Sequence, residues 1–150
     1  MKYHTRDELI HFDFKEAVVG DTLVSQDCFH LVLDNVTILP ENSCNRDIRQ
    51  MRCNEMMFTI ENPRICCLIQ EGYRLYDANG NLTGNFEDVE IEGETVFDTI
   101  KGFLLGNIYD LVKRENRYIF YIDTEEHTYR MEVEGSHDIE EWERFLNKDL

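Results

Sequence analysis

The segment RYIFYIDTEEHTYRMEVE, residues 117–134, decides the fold because its residue alternation fits one register of a β-hairpin. When Thr124 is paired with His127, six apolar side chains fall on one face: Tyr118, Phe120, Ile122, Tyr129, Met131 and Val133. The opposite face is mostly polar and places Arg117 across from Glu134. A shift by one residue would mix the two faces, since side chains alternate along a strand. The sequence therefore predicts a hairpin with one buried face and complementary charges on the other.

The next segment, SHDIEEWERFLNK (residues 136–148), is predicted to be an amphipathic helix. Ser136 or Asp138 can cap its first turn, and the acidic residues that follow suit a helix N-terminus. Its apolar residues recur at helical spacing: Ile139, Trp142, Phe145 and Leu146. We expect this stripe to cover an apolar sheet face or the end of a barrel.

The ending RYIFYIDTEEHTYRMEVEGSHDIEEWERFL, residues 117–146, resembles the close of a pleckstrin-homology-type domain. In that family, the final antiparallel strands lead into a C-terminal amphipathic helix with a buried tryptophan, here Trp142. The helix caps an open barrel, and family members often bind peptides or proteins. The resemblance therefore implies a barrel or roll capped by a helix.

Several upstream segments are typical of β-strands, because they are rich in branched and aromatic residues and are bounded by turn residues. They are CFHLVLDNVTIL (28–39), EMMFTI (55–60), RICCLI (64–69), YRLY (73–76) and NIYDLVK (107–113). Residues 95–105 are predicted to form a second helix with Gly106 as its C-cap. We expect one domain over residues 1–150 with a β-rich α+β fold. It would be an antiparallel barrel or strongly bent sheet with the C-terminal amphipathic helix packed across it.

The segment YDANGNLTGNFEDVEIEGE, residues 76–94, resembles a calcium loop, but a hairpin explains it better. An EF-hand loop that starts at Asp77 needs glycine at its sixth position, where this chain has Leu82. Asn79-Gly80 is instead typical of a two-residue type I′ turn. The resulting register places Leu75 opposite Gly84, and Tyr73 opposite Phe86.

The second half of this segment, FEDVEIEGE, is predicted to be a strand with one acidic face. Phe86 and Val89 are three residues apart, so both are buried only if a bulge or bend falls near Glu87-Asp88. The acidic side chains form a candidate partner surface: Asp88, Glu90, Glu92 and Glu94. The alternative is a solvated edge strand whose like charges prevent aggregation.

The charge of the chain restricts its partners. Fifteen basic residues against 31 acidic ones give a formal net charge of −16. Such a field repels nucleic acids and anionic membranes and favours a basic protein partner, although carboxylates also serve solubility alone. The basic residues Arg46, Arg49 and Arg52 form a candidate anion site, with pairing to neighbouring carboxylates as the alternative.

The five cysteines are odd in number and lack a disulfide framework, which is typical of a reducing cytoplasm. Residues 1–14 contain no signal-peptide-like apolar stretch, and no segment is apolar enough to span a membrane. Cys28 and His30 lie two apart on a predicted strand, as a metal pair or catalytic dyad would, but an ordinary strand surface explains them equally. No catalytic residue, cofactor or metal site is assigned.

These features favour a non-enzymatic cytoplasmic interaction module with an acidic surface that binds a basic protein. The alternative is a small-ligand-binding β-barrel, whose interior would be lined by some of Tyr73, Phe86, Tyr118, Phe120 and Met131. A third hypothesis is a hydrolytic or thiol enzyme that uses Cys28 and His30 or clustered carboxylates. The sequence does not specify an oligomeric state.

Overall fold

The computed structural model describes residues 1–148 and consists mainly of short antiparallel strands. The strands are β1 (Tyr3–Arg6), β2 (Phe12–Asp13), β3 (Ala17–Ser25), β4 (Cys28–Asp34), β5 (Val36–Ile38), β6 (Met51–Cys53), β7 (Met56–Glu61), β8 (Arg64–Gln70), β9 (Tyr73–Tyr76), β10 (Leu82–Phe86), β11 (Val89–Glu90), β12 (Asn107–Arg114), β13 (Arg117–Asp123), β14 (Thr128–Glu134), β15 (His137–Trp142) and β16 (Leu146–Asn147). Helix α1 is Thr95–Lys101, and a 3₁₀ turn covers Leu9–His11. No helix among residues 1–148 is long and apolar enough to cross a membrane.

The hairpin predicted from residues 117–134 is confirmed as β13 and β14. Arg117 pairs with Glu134, and the register continues without a shift to Asp123 and Thr128. The Thr124 N–H donates to the His127 carbonyl at 2.8 Å, which closes the turn. The six predicted inward side chains are all buried. The sequence predicts this hairpin correctly because only one register places all the apolar side chains on one face.

A ten-stranded antiparallel sheet forms the body, in the order β1-β15-β7-β4-β3-β12-β13-β14-β8-β11. At its centre, β3 and β12 share a short ladder of two residue pairs, Val18–Asn107 and Ala17–Ile108. Ring contacts join strands that are far apart in this order: Phe120 of β13 lies 5.5 Å from Phe29 of β4 and 6.0 Å from Phe58 of β7, between ring centroids. The sheet is therefore folded over, with its two halves facing each other across the core. Within residues 1–148 its edge strands β1 and β11 do not pair with each other, so the sheet is not a closed barrel.

A second sheet of four strands, β16-β6-β5-β2, packs at the β15 side of the core. Phe12 of β2 lies 5.5 Å from Trp142 of β15, and Phe14 lies 5.6 Å from Phe58. All four aromatic side chains are buried. This small sheet packs against the core at the place where a C-terminal helix was predicted to pack.

The predicted helix over residues 136–148 is wrong. Residues 137–142 form β15, which hydrogen-bonds with β1 on one side and β7 on the other. Its inward side chains are Asp138, Glu140 and Trp142, whereas Ile139 is only partly buried. The strand therefore buries two carboxyl groups where an apolar residue is expected, and this hides its period of two. The resemblance to the pleckstrin-homology family relied on this helix.

The other predicted helix is present but shorter, because it ends at Gly102 rather than at Gly106. The Gly102 N–H donates to the carbonyls of Asp98 and Thr99, which ends the helix in a tight turn. The predicted strand over residues 28–39 is divided into β4 and β5 at Asn35, whose φ of 59° breaks the extended backbone. The predicted strands at 55–60, 64–69, 73–76 and 107–113 correspond to β7, β8, β9 and β12.

Gly135 joins β14 to β15 at a point where no side chain fits. A Cβ there would overlap Cγ2 of Ile60 and lie 2.9 Å from the carbonyl oxygen of Glu61. Gly135→Ala is therefore expected to lower the free energy of unfolding by about 2 kcal/mol, as measured by urea denaturation. Gly84→Ala is the matched control, because its Cβ would meet only movable side-chain atoms of Phe86 and Leu75. Equal stability of the two variants would contradict this account.

Candidate functional site

Strands β9 and β10 form a two-stranded arm, residues 73–86, which is separate from the two larger sheets. The predicted hairpin is confirmed, as are the pairs Tyr73–Phe86 and Leu75–Gly84. The two-residue turn is wrong, since Tyr76 rather than Asp77 lies opposite Leu82. A bulge between Leu82 and Gly84 then restores the predicted register towards the base of the arm.

Asp77 explains the longer turn. Its N–H donates to the carbonyl of Asn81 at 2.9 Å, and its Oδ1 accepts from the N–H groups of Asn79 and Asn81, each at 2.9 Å. These hydrogen bonds hold the pKa of Asp77 below its usual value. Only Gly80 in this turn has a positive φ, of 81°, whereas a type I′ turn needs two such residues. The Asp77 carboxylate thus stabilises a turn, as the hairpin interpretation requires.

Both faces of the arm carry large apolar side chains in contact with solvent. Tyr73, Leu75 and Phe86 share one face with Gly84, while Tyr76 and Leu82 pair on the other. All five are between 48% and 57% exposed. The rings of Tyr73 and Phe86 are stacked, with centroids 4.6 Å apart. On the face of Tyr73, Leu75 and Phe86, the arm therefore exposes a group of neighbouring apolar side chains rather than scattered single residues.

Hydrogen bonds to two carboxylates, Asp88 and Glu71, hold the base of the arm. The Gly72 N–H donates to Oδ1 of Asp88 at 2.6 Å. A Cβ at Gly72 would overlap the carbonyl oxygen of Phe86, so this close approach requires glycine. Next to it, the Tyr109 hydroxyl donates to Oε1 of Glu71 at 3.1 Å. Asp88, one of the predicted partner-surface residues, therefore also anchors the arm.

The acidic segment after the arm is only partly a strand. The predicted break falls at Glu87-Asp88, and β11 consists of Val89 and Glu90 alone. The break does not bury Phe86 and Val89, since each is 50% exposed. The chain leaves the sheet after the Ile91 N–H has bonded to the Leu68 carbonyl at 2.8 Å. The predicted partner-surface residues are all exposed: Asp88, Glu90, Glu92 and Glu94.

Three adjoining surface depressions, of about 500, 360 and 410 Å³, connect helix α1 with the arm. The first two share Thr124, Glu125 and Glu126, and the last two share Gly72 and Tyr73. We call these three neighbouring depressions together the acidic groove, because six carboxylates line them: Glu71, Glu87, Asp88, Asp98, Glu125 and Glu126. Arg74 is the only lysine or arginine among its described lining residues.

The candidate arginines engage different partners. Arg49 forms an ion pair with Asp47, with Nη2 and Oδ2 3.2 Å apart, and Arg52 donates to the Asn147 carbonyl at 3.2 Å. Arg46 lines a separate depression of about 240 Å³. The Arg49–Asp47 pair supports the alternative of internal pairing, while an anion site at these three arginines stays a prediction.

Cys28 and His30 do not form a dyad. The Cys28 thiol donates to the Leu23 carbonyl at 3.5 Å, while Nδ1 of His30 lies 2.7 Å from the Thr59 hydroxyl. All five cysteines are free thiols. In the described part of the chain, no three His, Cys, Asp or Glu side chains are grouped as a metal site would require.

The residues proposed to line a ligand-binding barrel do not share an interior. Tyr118, Phe120 and Met131 are fully buried, and the rings of Tyr118 and Phe120 contact Phe58. Tyr73 and Phe86 instead lie on the exposed arm. The first three residues therefore belong to the packed core, and this set does not define a ligand cavity.

Strand β15 carries a fully buried pair of carboxyl groups, Asp138 and Glu140, that the sequence pattern did not indicate. Asp138 Oδ1 accepts from the Tyr118 hydroxyl at 2.8 Å and lies 3.5 Å from Nζ of Lys113. Glu140 Oε1 accepts from the Thr5 hydroxyl at 2.7 Å. If residues 137–142 are assumed to form a strand, Asp138 and Glu140 fall on the same side as Trp142. No other sequence signal indicates that they are buried.

A proton held by Glu140 explains why one oxygen of each group lacks a protein donor. Oδ2 of Asp138 and Oε2 of Glu140 are buried and accept no hydrogen bond from a protein donor. Burial, with the hydrogen bond to Asp138 and its charge, raises the pKa of Glu140 to about 10. A protonated Glu140 then donates to the Asp138 carboxylate, and both oxygens are satisfied.

This proton makes stability depend on pH. The unfolded chain loses it above about pH 4, whereas the folded protein keeps it to about pH 10, so the free energy of unfolding falls between these values. The slope from this one group is at most about 1.4 kcal/mol per pH unit. A glutamine at position 140 can donate to Asp138 and accept from Thr5 without a titrating proton. In Glu140→Gln, the free energy of unfolding is therefore expected to fall less steeply as pH rises. At pH 8 this variant should be more stable than the original protein.

Urea denaturation at several pH values from 6 to 9 checks this expectation. Glu141→Gln is the matched control, because the Glu141 side chain is partly exposed on the other side of β15. The control should follow the pH profile of the original protein. Parallel profiles for Glu140→Gln and the original protein would contradict a buried proton on Glu140.

No protein-family model matches this chain, and neither does any curated protein or solved structure. The arm, the acidic groove and the charge of their side chains are therefore the features from which a function is inferred.

Proposed function

We propose that this protein is a non-enzymatic cytoplasmic interaction module whose acidic surface binds a basic protein. The acidic groove is the observation that carries the proposal, because six carboxylates and one arginine line its three neighbouring depressions. The exposed residues Glu90, Glu92 and Glu94 extend the same charge along the segment between the arm and helix α1.

The groove favours a polypeptide partner over other cations. Its three depressions adjoin, so an extended chain can contact all of them at once. Lysine and arginine side chains would bring positive charge to several carboxylates, and the net charge of −16 would speed their encounter. The same field disfavours nucleic acids and anionic membranes, whose phosphates it repels.

An enzymatic role has less support from the geometry. The Asp138–Glu140 pair is fully buried, so a substrate does not reach it in this conformation. Cys28 and His30 bond to different groups. The free thiols at all five cysteines suit the reducing cytoplasm that we propose as the location.

Neutralising carboxylates in the groove should weaken binding to a cationic probe. Glu125→Gln/Glu126→Gln is expected to lower affinity for a peptide of alternating lysine and serine by about fivefold at low salt. Glu92→Gln/Glu94→Gln should have a similar effect if the surface extends to this segment. Isothermal titration calorimetry gives the affinities, and binding should weaken as salt rises from about 50 to about 300 mM.

Asp27→Asn/Glu41→Gln is the matched control, because it changes net charge equally at exposed residues that do not line the groove. Its affinity should stay within about twofold of the original protein. Equal weakening by control and groove variants would mean that net charge alone attracts the probe, and would contradict the proposed site.

A further inference from the structure

We infer that the arm face formed by Tyr73, Leu75 and Phe86 is an apolar docking wall for the partner of the acidic groove. This inference rests on the proposed function and deepens it. The occupant is a cationic polypeptide segment that carries apolar side chains among its lysines and arginines. Carboxylates would attract it, and the arm would hold its apolar side chains.

The arm exposes apolar area that the fold does not use. Its five large apolar side chains remain about half exposed, and neither larger sheet pairs with its strands. A two-stranded hairpin is marginally stable by itself, so its apolar residues would normally be buried against a body. Contiguous exposed patches of this kind mark interaction sites in soluble proteins.

Tyr73 connects this apolar face to the groove. It lines the depression that contains Glu125 and Glu126, and also the depression formed by Phe86, Glu87 and Asp88. Leu75 and Phe86 share its face, since a Cβ at Gly84 would lie 3.4 Å from Leu75 Cδ1 and 3.3 Å from Phe86 Cε2. A segment bound in the groove would therefore reach the stacked rings.

The charge around the wall selects a cationic occupant. Glu71, Glu87 and Asp88 line the same depressions as Tyr73, and Arg74 is the only nearby lysine or arginine in their described lining. A second copy of this chain also carries a net charge of −16, so repulsion opposes pairing of two arms. A basic segment brings opposite charge and can bury the same apolar side chains.

Two probes of equal charge separate the wall from the groove: a peptide of alternating lysine and leucine, and one of alternating lysine and serine. The full chain should bind the lysine–leucine peptide at least about tenfold more tightly. Leu75→Ser should reduce this preference about fivefold and leave affinity for the lysine–serine peptide unchanged. Calorimetry at about 300 mM salt, where the charge contribution is screened, should show the difference most clearly.

Leu82→Ser is the matched control, because Leu82 lies on the opposite face of the same arm with similar exposure. It should retain the full preference for leucine. Phe86→Leu is a second test variant, since it removes the stacking on Tyr73 but keeps an apolar side chain. Amide NMR spectra of each variant show whether the arm remains folded.

The outcomes separate this inference from the proposed function. Equal affinity of the original protein for both peptides, or equal losses in Leu75→Ser and Leu82→Ser, would overturn the docking wall while leaving the groove intact. Absence of salt-dependent binding to either peptide would overturn the proposed function itself. Concentration-dependent dimerisation that Leu75→Ser abolishes would replace the cationic partner with a second copy and would also overturn the inference.

Discussion

The buried carboxyl groups of β15 link this strand to β12 and β13, with which it shares no backbone ladder. Asp138 bonds to Tyr118 of β13 and lies near Lys113 of β12, while Glu140 bonds to Thr5 of β1. Strands β12 and β13 are several places away from β15 in the folded sheet. Lys113 Nζ also lies 3.9 Å from Asp7 Oδ1, so this one lysine serves two carboxyl groups, and the buried pair depends on the proton that Glu140 holds. Loss of the proton would leave two buried carboxylates side by side, with one lysine to compensate.

The same cluster explains why the sequence predicted one half of the C-terminal region and not the other. Residues 117–134 have a buried face made only of apolar side chains, so local alternation fixes their register. In β15 the buried face contains Asp138 and Glu140, which are stable there only because Thr5, Lys113 and Tyr118 surround them. These partners are distant in sequence, and no local pattern reports them.

The arm shows a similar limit at the scale of a single turn. Asn79-Gly80 correctly predicted a hairpin, because glycine with positive φ is a local requirement. The register near the tip was missed, because the carboxylate of Asp77 favours the longer turn and the bulge then corrects the pairing. The predicted acidic residues are exposed as expected. Their position relative to the loop at residues 124–127 and to the apolar arm depends on the folded sheet, which the sequence pattern does not specify.

Exposed apolar surface and negative charge have opposite effects on self-association, and the arm region carries both. Exposed tyrosine, leucine and phenylalanine side chains on a short hairpin favour self-association, whereas nearby carboxylates on every copy oppose it. For a cationic segment that carries apolar side chains, both the electrostatic and the hydrophobic contributions to binding are favourable. Its charge attracts the carboxylates, and its side chains bury the apolar area of the arm. Salt screens only the electrostatic contribution and leaves the hydrophobic contribution in place. The balance between them would therefore set whether the arm discriminates among basic partners or binds them all.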